Sequence, residues 1–443
     1  MRSAAPAGLG VPGGGRPRVE SRTWERVAGG TIFALGVALA IFRVGLSLVN
    51  GSDKLGARWA MIDFYSSAYY PVRALLEGGN PHDRTWFLSH YPVADMYGPF
   101  LPVNLLLHLP FGLLSPQLAG LVYFGLTVLL TLLMAALSLR LAGWPVTWAR
   151  TGLIAGLILL SRPGHWTLLL GQQAILLTCF TYLALLSARN SPARSGLALA
   201  LAALKPTFGI PLGLLMLAAG YLRAVVAGFV ISLAVNLPLL WLMASRVGGI
   251  RPFLETLVEG VREWASIATY DPSTNHRQVD TAALVDRFMG HSLSGGAEAL
   301  VAVGILAVAA LAFRRLDRDH ASDRDLATAI VCMTLLVAGH HLGYDMVILA
   351  APAVILVLRG LPPGAPTVLR PIFLVLYAIP ALNWINTDSV MDAWRPRHAV
   401  WLFVSSVNGL CLAILFVGYV ALALTYGTRQ SVLRLDRAAA SAV

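Results

Sequence analysis

Apolar runs separated by short polar breaks recur along almost the whole chain. Several approach the roughly 20 residues that a helix needs to cross a bilayer. The pattern predicts spans at 27–49, 119–139, 150–161, 174–188, 196–219 (interrupted), 222–243, 297–313, 326–339, 344–358, 371–387 and 399–425. Residues 101–114 form a further apolar piece, interrupted by Pro102, His108 and Pro110, and read as re-entrant or interfacial. The expected fold is therefore all-α, a polytopic transmembrane helical protein with about 10–13 membrane segments. A single transmembrane domain over 27–425 is expected, with a Gly-, Pro- and Arg-rich disordered tail at 1–26 and a second tail at 426–443.

Three stretches break the pattern at length: 50–100, 244–296 and 383–398. Within the second, Pro252 to Ser266 carries apolar residues at helical spacing and predicts an amphipathic helix lying on the membrane surface. The Tyr270–Asn275 run that follows reads as loop. No internal repeat is evident, which argues against transporter folds built from inverted repeats.

Composition agrees with a membrane setting: 57% of residues are hydrophobic and 12% charged. The net charge of +11 is explained by topology. With the N-terminus inside and 196–219 making no net crossing, 19 of the 33 Lys and Arg fall on short inside segments and 12 on longer outside ones. Both termini are thus expected in the cytoplasm of a bacterial plasma membrane, with the first span a retained signal anchor. A nucleic-acid partner would need a basic face on a soluble domain, and the pattern offers none. Cys179, Cys332 and Cys411 all fall in apolar runs and imply neither disulfide nor metal framework.

The candidate chemistry collects in the polar breaks of the outer side. Asp63 follows the first span and suits a general base; pairing with Arg58 or Arg73 to order the loop is the alternative. Asp83, in Asn80-Pro81-His82-Asp83, reads better as a structural turn. Gly339-His340-His341-Leu342-Gly343-Tyr344-Asp345 sits where two spans meet, and ionisable residues at membrane depth are functional candidates by default. Adjacent histidines on one helix point about 100° apart, which disfavours a shared metal. Arg162-Pro163-Gly164-His165-Trp166 and Gly171-Gln172-Gln173 interrupt a span, as backbone does where it lines a cavity. Lys205, one of two lysines, precedes Pro206 and would meet an anion at a new helix start, or snorkel. Glu255, Glu259 and Glu263 lie at i, i+4, i+8 and read as a solvated stripe. No phosphate-cradling GxxxxGK[ST] occurs and no GxGxxG opens a βαβ unit, so a soluble nucleotide donor is not expected.

Taken in order, Asp63-Phe64-Tyr65, Tyr70-Pro71-Val72-Arg73-Ala74-Leu75, Gly78-Gly79-Asn80-Pro81, Tyr97-Gly98-Pro99, Gly171-Gln172, Leu204-Lys205-Pro206 and His340-His341 form a pattern. It resembles the integral-membrane GT-C glycosyltransferases that use polyprenyl-phosphate sugars. The likeness is to family 87 in particular, which includes mycobacterial mannosyl- and arabinofuranosyltransferases. The resemblance implies an inverting transfer of mannose or arabinofuranose from a polyprenyl phosphate to a lipid-linked or cell-wall glycan. Asp63 would be the base. Lys205, His340, His341 and Arg162 would bind the donor phosphate, and Tyr70, Arg73, His165, Gln172, Tyr344 and Asp345 the substrates. No cofactor or metal is required by that scheme. The chain departs from the family pattern at Tyr97-Gly98-Pro99, where paired prolines are usual, and at Gly343-Tyr344-Asp345, where mannosyltransferases tend to carry an aromatic run. A transporter or lipid flippase, using the same polar residues as a substrate path, is the alternative reading; a non-catalytic assembly subunit is a third.

Overall fold

The computed structural model describes residues 23–49, 60–93, 97–266, 275–317 and 319–428. The two tails are therefore described only from Thr23 and up to Thr428. Arg58 and most of the Tyr270–Asn275 run lie outside the described residues. The described chain is α-helical, with no strand among it beyond one isolated antiparallel bridge, Gln278 to Leu342.

Among the described residues, five helices are long and apolar enough to cross a membrane: Thr23–Gly45, Pro116–Leu141, Leu222–Arg246, Gly295–Phe313 and His398–Tyr426. Their outward faces carry large apolar side chains such as Leu121, Leu129, Phe229 and Trp241, as a lipid-facing surface requires. Trp148–Leu160 and Arg162–Leu170 add a sixth span if taken together, bent by 75° at Ser161. The remaining apolar runs become helices of 10–17 residues, among them Ala174–Ser187, Pro206–Ala218 and Leu369–Leu382. The sequence expects more segments because it counts apolar runs. Folding breaks several of those runs short of a full crossing, as at Leu204-Lys205 between Pro192–Ala202 and Pro206–Ala218.

Local chemistry explains the breaks. At Ser161 the chain turns extended (ψ 152°), and the serine hydroxyl accepts from the Gly164 amide at 3.2 Å to start the next helix. Pro163 sits in the first turn, where its missing N–H costs nothing. A Cβ on Gly164 would lie 1.9 Å from the Ile158 carbonyl oxygen, so no larger residue fits. The bent pair is clamped by the first helix. Cβ atoms on Gly29 and Gly156 would lie 2.1 Å from the Ala149 oxygen and 2.6 Å from the Ile32 carbonyl carbon, so the two backbones touch.

The polar stretches are structured too. In 50–100, Ile62–Leu76 is helical, and Asp83 caps Arg84–His90 by accepting from the Trp86 amide at 3.0 Å. In 244–296, the amphipathic helix runs Ile250–Ser266, its stripe partly paired through Arg251–Glu255 (3.0 Å) and Arg84–Glu263 (3.4 Å). His82 packs between Tyr97 and Phe253 and joins these two layers. Burial pushes its pKa from 6.5 down to about 4. Its neutral ring favours the fold above the unfolded value of 6.5, and that contribution is lost as pH falls toward 4. His82→Phe is expected to flatten the dependence of melting temperature on pH over that window.

Candidate active site

The polar breaks are linked in a series of contacts. Met61 adopts a left-handed conformation (φ 63°), the one non-glycine among the described residues to do so, and its amide donates to the Leu169 carbonyl at 2.7 Å. That turn starts the Ile62–Phe64 helix and sets Asp63 against the break after Leu170. There Gln172 Nε2 donates to Asp63 Oδ2 at 2.5 Å. Gly171 makes the approach possible, because a Cβ there would stand 2.7 Å from Phe64 Cβ. It also needs φ +71°, which side chains adopt at a cost. Gly171→Ala is expected to cost about 1–3 kcal/mol and to displace Asp63; thermal melts and a sugar-transfer assay check the two effects.

From Asp63 the series runs both ways. Asn104 Nδ2 donates to the Ser67 carbonyl at 2.8 Å and the Leu101 amide to the Leu204 carbonyl at 2.9 Å, bringing the Tyr97–Asn104 segment beside Lys205. Lys205 Nζ donates to Asp345 Oδ2 at 2.9 Å, and His341 Nδ1 lies 3.0 Å from the same oxygen. The Asp345 side chain is 1% exposed against 20% for Lys205, so the carboxylate is the more deeply buried partner. Tyr344 then meets Trp166 edge-on at 6.0 Å, returning the series to the Arg162–Leu170 helix. Asp345 therefore holds Lys205 and His341 in place, and the Phe208 and Tyr344 rings stand 5.3 and 5.6 Å from the ammonium.

His340 is set differently. Its ring faces Gln278, with Gln278 Nε2 3.0 Å from Nδ1. Burial, with Lys205 as the second cause, pushes its pKa down to about 3, so the ring is neutral at pH 7 and acts through hydrogen bonds. Arg162 stacks on Trp166 at 4.2 Å and donates to the Asn386 carbonyl at 3.2 Å. His165 is 1% exposed against Trp384, and neither ring nitrogen has a protein partner. Tyr70 and Arg73 lie in a neighbouring aromatic cluster. Tyr70 packs on Tyr69 and Tyr91, and Arg73 pairs with Glu77 at 2.5 Å rather than with Asp63.

A model described as glycosyltransferase family 87 matches residues 97–339, more than half of the chain. The chain belongs to glycosyltransferase family 87. No curated protein and no solved structure matches it. The family 87 match spans Arg162, His165, Gln172 and Lys205, and stops short of Asp63 on one side and His340 on the other.

Several residues of this family 87 glycosyltransferase were not evident as a group in the sequence. Residues 275–280 cross the His340–Gly343 turn, through Val279 N to His341 O (3.0 Å) and Gly343 N to Arg277 O (2.9 Å). Arg287, almost wholly buried, braces that strap by donating to the Gln278 and Ser405 carbonyls at 2.9 and 2.6 Å. Arg277 pairs with Asp388, and His276 Nε2 lies 3.2 Å from the same carboxylate. Burial tends to raise the Asp388 pKa, but His276 and Arg277 outweigh it and hold the carboxyl well below the usual range. The available signal was the polar run Asn275-His276-Arg277-Gln278 after a loop, which spacing alone does not connect to Asp388.

Proposed function

We propose that this glycosyltransferase moves a mannosyl or arabinofuranosyl group from a polyprenyl-phosphate donor to a lipid-linked or cell-wall glycan, on the non-cytoplasmic face of a bacterial plasma membrane. The observation that carries the reading is the Asp63 carboxylate, held by Gln172 in the gap of a broken membrane helix within a series of polar segments. Asp63 takes the proton of the acceptor hydroxyl as that oxygen bonds to the anomeric carbon. The bond from that carbon to the phosphate oxygen breaks on the opposite side, and the electron pair leaves with the polyprenyl phosphate. Configuration inverts in this single displacement.

Lys205, positioned by Asp345, supplies charge to the departing phosphate, with His341 and His340 beside it as hydrogen-bonding groups. Arg162, His165 and Tyr344 stand on the adjoining helix and turn. Tyr70 and Arg73, in the neighbouring aromatic cluster, suit contacts with a bulky acceptor. The test is transfer from radiolabelled polyprenyl-phosphate mannose and arabinose into endogenous lipid and glycan by membranes carrying the chain. Label in product above empty-vector membranes supports the reading. No transfer from either donor by well-expressed, folded protein rejects it.

A further inference from the structure

The third polar stretch, 383–398, has no part in the proposed chemistry, yet its first residues are tied to the site. Asn383 Nδ2 donates to Asn408 Oδ1 at 3.0 Å, and Asn386 Nδ2 to the His276 carbonyl at 3.1 Å. Asp388 Oδ1 accepts from Arg277 Nε at 3.0 Å. This loop is thereby fastened to the strap over the His340–Gly343 turn, and Trp384, between the fastenings, is left 36% exposed.

Trp384 is one of two indole rings joined through Arg162. The guanidinium carbon lies 4.2 Å from the Trp166 ring centre and 5.9 Å from that of Trp384, and the Arg277 guanidinium stands 5.7 Å from Trp166. Helix rise places these groups relative to the base. Leu170 ends the helix just before Gln172, the partner of Asp63. Along the axis it lies about 6 Å from Trp166 and about 12 Å from Arg162. A sugar ring resting on Trp166 and Trp384 is therefore a neighbour of the ring whose hydroxyl meets Asp63, and not that ring itself.

The polar groups around the indoles define what rests there. Arg162 Nε is buried without an acceptor and Asn386 Oδ1 without a donor. The His165 ring lies 5.1 Å from that of Trp384, and neither of its nitrogens has a protein partner. A buried polar group left unpaired costs about 1–3 kcal/mol. The set is mixed: the guanidinium N–H and one nitrogen of a neutral imidazole donate, while the amide oxygen and the other nitrogen accept. An ionised phosphate, which only accepts, would answer half of it, and an acyl chain none. Hydroxyls both donate and accept, directly or through a bridging water. The weakly positive C–H face of a sugar also suits the electron-rich face of an indole.

We propose that Trp166, Trp384, Arg162 and His165 form a sugar subsite for the acceptor, one residue behind the hydroxyl that reacts. The acceptor is then a glycan of at least two sugars, so an earlier glycosyl transfer must supply it. The inference rests on the glycan-extending reading above. It gives Arg162 an acceptor sugar in place of the donor phosphate that the family resemblance implies.

The test has a binding arm and a kinetic arm. In the first, saturation-transfer NMR follows free mannobiose and arabinofuranobiose over wild-type protein in nanodiscs, with no donor present. Saturation of one of the two disaccharides is expected, lost in Trp384→Ala and restored in Trp384→Phe. No saturation of either, or equal saturation with Trp384→Ala, overturns the proposal, as does displacement of the sugar by inorganic phosphate. In the second arm, wild-type and variant membranes transfer sugar to octyl mono- and disaccharides. The wild-type preference for the disaccharide, as a ratio of kcat/KM, is expected to fall about fivefold in Trp384→Ala, as for the loss of one aromatic contact. The fall should lie in acceptor KM and leave donor KM unmoved; an unchanged ratio rejects the subsite. Bound disaccharide without transfer from either polyprenyl-phosphate donor would uphold the subsite and sink the transfer reading. Transfer with an unchanged ratio would do the reverse.

Discussion

Membranes carrying Asp63→Asn are expected to lose sugar transfer by about 10²–10⁴-fold, the range a positioned general base supplies. The substitution isolates chemistry from structure. An asparagine oxygen can still accept from Gln172 Nε2, so the contact that seats residue 63 survives. What disappears is the capacity to take a proton. The melting temperature in detergent should stay within a few degrees of wild type, and the loss should fall on kcat more than on donor KM. Retention of full activity by a folded Asp63→Asn protein would remove this carboxylate from the mechanism. Gln172→Ala offers a graded comparison, since it frees the carboxylate to move while leaving it ionisable.

The second large effect is expected at the buried pair. Lys205→Met leaves the Asp345 carboxylate, 1% exposed and with Oδ1 already lacking a partner, facing only His341 and the Leu342 amide. Removing one partner of a buried ion pair costs about 3–5 kcal/mol because the other charge is stranded. Adding Asp345→Asn to Lys205→Met should restore most of that stability, because an amide needs no counterion. Transfer should stay lost in both, since neither chain carries the ammonium assigned to the phosphate. Thermal melts of the four proteins form a double-mutant cycle. Additive losses, with no recovery in the double variant, would show that the pair is not coupled as the 2.9 Å contact implies.

Much of the helical layout was legible because lipid simplifies the problem. A long apolar run in a bilayer has little alternative to helix, and Pro116–Leu141 and His398–Tyr426 fall within a few residues of the pattern. The breaks at Lys205 and Arg162 were visible as polar or proline interruptions. Pairing was not. Nothing in the spacing says that Lys205 will find Asp345 across 140 residues, or that Arg277 will take Asp388 across 111. Such contacts depend on how short helices lean together, and that follows from glycine positions such as Gly29 and Gly156 whose partners lie far away in sequence. Nor could the sequence distinguish His340 from His341. One faces Gln278 and the other a carboxylate, although they are neighbours in the chain.

The short helices have a consequence for the membrane itself. A 13-residue helix such as Pro206–Ala218 is about 20 Å long, some 10 Å less than the hydrocarbon it sits in. Lipid meeting so short a wall thins or draws water toward it. On the site face the aqueous boundary would then dip toward Lys205 and Asp63, well below the surrounding headgroups. A lipid phosphate would then reach the carboxylate proposed as the base by following that depression sideways, without being lifted out of its leaflet. The reach demanded of an acceptor glycan would be set by the depth of the dip rather than by the thickness of the bilayer.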